Sequence, residues 1–187
     1  MIKYTMTDGA RDMDGPMRID RLDVLWIDDE DQQGPAESNL GRFSQTPGPG
    51  AIDRRERPGY QEHEYPYWIP ANYDPEYPEY AEQDYARQQS LCESEWSYQG
   101  CVAKAVVSYP CGQGSRRLQD FESSGIWGIE SDSSPLYIME TELDQLNDLR
   151  EHLAEFGVKW GPDAEEYVKT KQRDLAKLRA EVAKKES

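Results

Sequence analysis

The residues best typed and spaced for chemistry are two carboxylates, Glu130 and Asp132, in the segment GIWGIESDSS. Side chains two apart on a strand point the same way, so both can converge on a cation, a basic side chain or a proton-transfer centre. Capping competes with that reading. SDSSP, Ser131 to Pro135, carries helix-start signals, and negative charge near a helix N-terminus is favoured by about 0.3–1 kcal/mol. No nucleophile or base is paired with the two carboxylates in the sequence, so they read as caps or partner-binding groups before they read as catalysts.

A second acidic group, Asp28 to Asp31, follows the apolar run LDVLWI, Leu22 to Ile27. VLWIDD is similar to the opening strand of phosphoacceptor receiver domains. Such a domain also needs a phosphorylated Asp and a Lys at the ends of later parallel strands, within alternating β and α units. Asp84 lies in an expected helix and the downstream order is wrong, so the group is expected to end a strand in water.

The remaining candidate is the most biased stretch of the chain, YQEHEYPYWIPANYDPEYPEYAEQDY. Tyr60, Tyr65, Tyr67, Tyr73, Tyr77, Tyr80 and Tyr85 alternate there with prolines and carboxylates. Tyrosine gives a large amphipathic contact area and is favoured at protein interfaces, while the carboxylates select a basic partner. An aromatic strip packing on its own sheet has the same sequence, and both readings stay open. Taken together, the residues assigned to partner binding are Tyr65, Tyr67, Trp68, Tyr73, Tyr77, Trp127, Glu130 and Asp132.

Other chemistry lacks its signatures. GxSxG, GxxxxGK[ST] and HExxH are absent, and neither histidine has a neighbouring nucleophile. Cys92, Cys101 and Cys111 are too widely spaced for tight zinc pairs and His63 and His152 are isolated, so free thiols are expected and neither a metal nor a cofactor.

The elements that must position these residues follow from the pattern. Residues 1–21 show no period and are expected to form a disordered arm. Leu22 to Ile27 reads as a short buried strand. Gln32 to Gly59 is dense in Gly and Pro and reads as irregular. Pro66, Pro70, Pro75 and Pro78 predict an extended, wrapping path for residues 60–85, with a helix from about Glu79 to Leu91. Trp96 to Ile129 reads as a hairpin plus a third strand, with CGQGS as the turn. Met139, Leu143, Leu146, Leu149, Leu153 and Phe156 recur at steps of three and four, which predicts a helix from Pro135 to Phe156 closed by Gly157. A last helix runs from Pro162 to about Lys184. Its few apolar residues predict a helix that is marginal alone.

The 187 residues suffice for one domain with a core. Lys and Arg number 21 against 37 Asp and Glu, a net charge of −16, with a mean hydropathy of −0.95. That field repels free DNA and anionic membranes, and an electrostatic partner should be basic. Residues 159–187 hold eight Lys or Arg and six Asp or Glu, so the acidity belongs to the body. No apolar run approaches the roughly 20 residues of a membrane helix, and MIKYTMTDGARDMDG lacks an h-region, so a cytoplasmic location is expected.

With GIWGIESDSSPLYIMETELDQLNDLREHLAEFGV the chain resembles a family of small acidic proteins of tailed phages and bacterial mobile elements. The resemblance extends upstream through NLGRFSQTPGPGAIDR, EYPYWIPAN, YAEQDYARQQSL and WSYQGCVAKAVV and covers roughly residues 22–158. It implies an intracellular accessory phage or prophage product. It carries no reaction, cofactor or catalytic residue.

The expected architecture is α+β: a small antiparallel sheet over residues 22–158 packed by one amphipathic helix, with a separate C-terminal helix over 159–187. The expected function is a non-enzymatic accessory protein binding a basic surface of a host protein, such as a nucleic-acid-processing or defence factor. DNA mimicry is a narrower form, requiring an acidic stripe. The alternative is an enzyme or metal-dependent protein using carboxylates around Glu130 and Asp132, with Asp28 or Asp29.

Overall fold

The computed structural model describes residues 4–5, 16–29, 38–58, 60–61, 64–111 and 115–185. The fold is α+β, with antiparallel sheets and three helices among the described residues. The chain divides into two units. One comprises residues 1–27, 99–129 and 133–187, the other residues 28–98 and 130–132.

The first unit is built on a five-stranded sheet. Strands β1 (Tyr4–Thr5), β2 (Arg18–Asp28), β6 (Tyr98–Pro110) and β7 (Arg116–Glu122) lie in that order, and β8 (Ile126–Glu130) also pairs with β6. The hairpin and third strand expected over 96–129 are β6, β7 and β8. Lys104 faces Glu122 and Pro110 faces Arg116 in the hairpin register. The turn residues 112–114 lie outside the described residues.

Two helices cover this sheet. Helix α2 (Pro135–Glu155) starts where expected: the Ser134 hydroxyl accepts from the Tyr137 N–H, Pro135 opens the first turn, and Gly157, at φ +73°, takes the left-handed position after the end. Its Leu143, Leu146, Leu149 and Leu153 are buried against Leu22, Ala103, Ala105, Val107 and Phe121. Full burial of such a side chain stabilises by about 1.5–3 kcal/mol. Helix α3 (Pro162–Lys185) is not separate. Ala164, Val168 and Leu175 join the same core, because a marginal helix gains its stability by docking its narrow apolar stripe.

A polar staple runs through that layer. Glu142 of α2 accepts from Trp26 Nε1 at 3.0 Å and pairs with Lys171 of α3. Burial, the largest influence on the Lys171 pKa, pulls it down, but the hydrogen bonds and negative charge of Glu142 and Tyr167 together outweigh it and leave the ammonium above its ordinary range. Cys101 is fully buried in β6, and burial pushes its thiol up to about 12. Cys92 and Cys111 are exposed.

The second unit holds strands β3 (Gly41–Ser44), β4 (Ile52–Asp53) and β5 (Tyr67–Pro70), in the order β3-β5-β4, and helix α1 (Glu79–Cys92). Its core is Ile52, Trp68 and Tyr85, with Leu40 and Phe43 packed against it. Trp68 is completely buried, and a Cβ at Gly41 would fall 2.4 Å from its ring. Here the expectations fail in two places. The Gly/Pro-rich stretch contains β3 and β4, and the Tyr/Pro stretch supplies a central strand where an extended wrap was expected. Pro66 and Pro70 bracket β5 without interrupting it, since proline is tolerated at strand ends, and a glycine in β3 makes room for Trp68.

Within the expected N-terminal arm, Tyr4–Thr5 pairs with Arg21–Leu22, and Arg18–Arg21 already belongs to β2. The rest of residues 1–15 lies outside the described residues.

Candidate functional site

Glu130 and Asp132 do converge on a basic side chain, and it belongs to this chain. Arg87, on α1, donates from Nη2 to Glu130 Oε2 at 2.7 Å and from Nη1 to Asp132 Oδ2 at 2.8 Å. Its guanidinium lies 3.7 Å from the centre of the Trp96 ring. The Trp96 indole N–H donates to Ser90 Oγ at 2.9 Å, back onto the same helix. Reciprocal bonds between Ser97 and Ser131 hold the segment bearing the carboxylates.

The electrostatics follow from this geometry. Hydrogen bonding to Arg87 holds the Asp132 carboxyl below the usual carboxylate range, and Asp132 in turn raises the Arg87 pKa. Tyr98, buried next to Trp96, has its phenol pushed up by burial and by the charge of Glu130. A carboxylate locked to a guanidinium is held ionised, the wrong state for a general acid. The arrangement is a clamp.

Asp29, expected in water, is buried, and its N–H donates to the Tyr98 carbonyl at 2.9 Å. Asp28 is exposed; Glu30 and Asp31 lie outside the described residues. Among the described residues no group of three His, Cys, Asp or Glu stands close enough to hold a metal ion. None of their helices is long and apolar enough to cross a membrane.

The tyrosine stretch splits into an inner and an outer half. Trp68 and Tyr85 are core, with ring centres 5.5 Å apart. Tyr67 is half-buried and its hydroxyl accepts from Arg55 Nη2 at 2.8 Å. Tyr65 is exposed, its carbonyl accepting from Arg54. From Ala71 to Tyr80 every residue is exposed. Tyr77 and Tyr80 are 47% and 53% exposed, and their rings stack at 5.5 Å and 20°. Tyr73 is exposed beside them in sequence.

Local hydrogen bonds fix that outer segment. Asp74 Oδ1 accepts from the Glu76 N–H at 2.9 Å, and the Tyr77 N–H reaches the Asp74 carbonyl, an Asx-type turn. Asp74, Glu76 and Glu79 have no ion-pair partner among the described residues, whereas Glu82, one turn into α1, is taken by Arg57.

Family models, curated proteins and solved structures were compared with the chain. None matches.

Trp127 lies in the first unit and is 51% exposed. Its ring rests on the β6 backbone at Gly100, where a Cβ would come within 2.2 Å of it. Ile129, two residues on, is buried. The left-handed Gly128 between them, at φ +76°, interrupts the strand's alternation.

Reading the residues alone left Tyr80 and Arg87 unassigned. Tyr80 had a signal, its spacing of three from Tyr77 at a helix start. Arg87 had none, because its partners lie 43 and 45 positions away.

Proposed function

We propose that this protein is a non-enzymatic binding module that docks the Ala71–Tyr80 segment onto a basic surface of another protein. The observation that carries this is the state of that segment: three exposed tyrosines, the rings of two of them stacked, beside carboxylates without ion-pair partners among the described residues. Stacked rings form a stiff apolar contact that loses little side-chain entropy on binding. Unpaired carboxylates steer a cationic partner over about a Debye length, roughly 8 Å in physiological salt. The clamping of Glu130 and Asp132 by Arg87 favours binding over carboxylate catalysis. An accessory phage or mobile-element product acting on a host nucleic-acid-processing or defence factor accords with the sequence resemblance and with the net charge of −16.

Affinity capture from bacterial lysate at low and high salt, with the wild-type chain and a Tyr77→Ala/Tyr80→Ala variant, tests this. The expected result is a basic protein retained by the wild type at low salt, released at high salt, and lost in the variant. Identical captures by both chains would overturn it.

A further inference from the structure

Beside the exposed segment the second unit has an open pocket of about 560 Å³, lined by residues 50–53 and 56–58 and by Tyr73, Pro78, Ala81 and Glu82. The floor is apolar, with Ile52 and Ala81 both buried. Tyr73 makes a wall, and its ring sits directly on Gly50. A Cβ there would fall 2.1 Å from the ring, and the φ of +67° also favours glycine.

The charges on the lining are satisfied unevenly. Arg57 donates to both Glu82 oxygens at 2.6 and 2.9 Å, and Asp53 accepts from Arg55 Nε at 2.8 Å. Glu56 has no ion-pair partner among the described residues. Within this unit, partly on the pocket's own lining, aromatic rings and carboxylates bracket an arginine repeatedly. Arg54 lies over Phe43 and pairs with Glu64; Arg55 lies over Tyr67 and pairs with Asp53; Arg57 lies over Tyr85 and pairs with Glu82. Tyr73 and Glu56 line one pocket as a ring and a carboxylate, and the arginine that lines it with them, Arg57, is engaged by Glu82.

Ligand chemistry follows from that set. A guanidinium stacks on a ring face and forks onto a carboxylate, while its stem lies on an aliphatic floor. An anion would meet Asp53, Glu56 and Glu82 against one lining arginine already bonded to Glu82, and a neutral apolar group would desolvate Glu56 without pairing it. We propose that this pocket receives an arginine side chain of the basic partner, an inference that rests on the docking reading above and supplies its residue-level contact.

The test is titration of the full chain with acetyl-Gly-Arg-Gly-amide and with its citrulline counterpart, which keeps the shape and loses the charge, followed by the amide resonances of Gly50, Ala51 and Ala81. The arginine peptide is expected to shift all three. Citrulline, and the Glu56→Gln variant titrated with arginine, are each expected to bind roughly tenfold or more weakly, as loss of a charge-assisted hydrogen bond implies. Glu56 is exposed, so an unchanged thermal midpoint in the variant verifies its fold. Equal shifts with arginine and citrulline overturn the proposal. So does an arginine peptide that moves none of the three while capture through Tyr77 and Tyr80 persists, and that outcome leaves the docking reading standing.

Discussion

The two units hold themselves together by different means. In the first, fourteen buried residues, mostly Leu, Val, Ile and Ala, form one core between a sheet and two helices. In the second, among the described residues, Ile52, Trp68 and Tyr85 form the buried cluster, Ala81, Trp96 and Tyr98 are buried besides, and arginines bracketed by rings and carboxylates add further contacts. The difference explains how a chain with 36% hydrophobic residues folds at all. The aliphatic content is concentrated in one unit, and the other uses large aromatic areas with cation–ring contacts of about 0.5–1 kcal/mol each at exposed sites. It also leaves the second unit with few residues on which its core depends.

The contrast can be broken most directly at Trp68. Trp68→Ala removes the largest side chain of the smaller core and should cost about 3–5 kcal/mol. Faster hydrogen exchange at the amides of β3, β4 and β5 is the expected readout; unchanged protection there would show that the arginine contacts suffice. Leu149→Ala in α2 makes a comparable void among many aliphatic neighbours that can partly relax, and a loss of about 2–5 kcal/mol is expected. Denaturant unfolding measures it, and a loss well below this range would mean that the larger core is loosely packed.

The smallest expected effect concerns the clamp. Asp132 has a depressed pKa in the folded chain because Arg87 bonds its carboxylate. Its contribution is therefore present above the unfolded value, near 3.9, and is lost as pH falls through the folded pKa. Arg87→Met should lower stability at neutral pH by about 1 kcal/mol, since the pair is partly exposed. It should also flatten the acid limb of the stability profile below about pH 4. Thermal melts of both chains across pH 2–7 would show parallel acid limbs if the clamp contributes nothing.

Sequence alone was most informative where one period controlled the outcome. The α+β class, the antiparallel strands over 96–129 and the ends of α2 followed from apolar spacing, Ser134, Pro135 and Gly157. The second sheet was hidden because glycine and proline argue for turns locally, while Gly41 serves as a seat for Trp68, 27 residues away. The docking of α3 was hidden because three small or aliphatic buried positions in 24 residues look insufficient until a neighbouring helix is known. The sites were less legible. Side-chain type does not distinguish an inward tyrosine such as Tyr85 from an outward one such as Tyr77, and the fate of Glu130 and Asp132 depended on an arginine distant in sequence.

The placement of the three cysteines gives the molecule an internal clock. Maleimide reagents attack thiolates at the surface, and Cys92 and Cys111 are open to them at once. Cys101, fully enclosed and with its thiol pushed up to about 12, is shielded until β6 parts from its covering helices. The delay before a third label adds is thus a direct measure of how often the larger core opens.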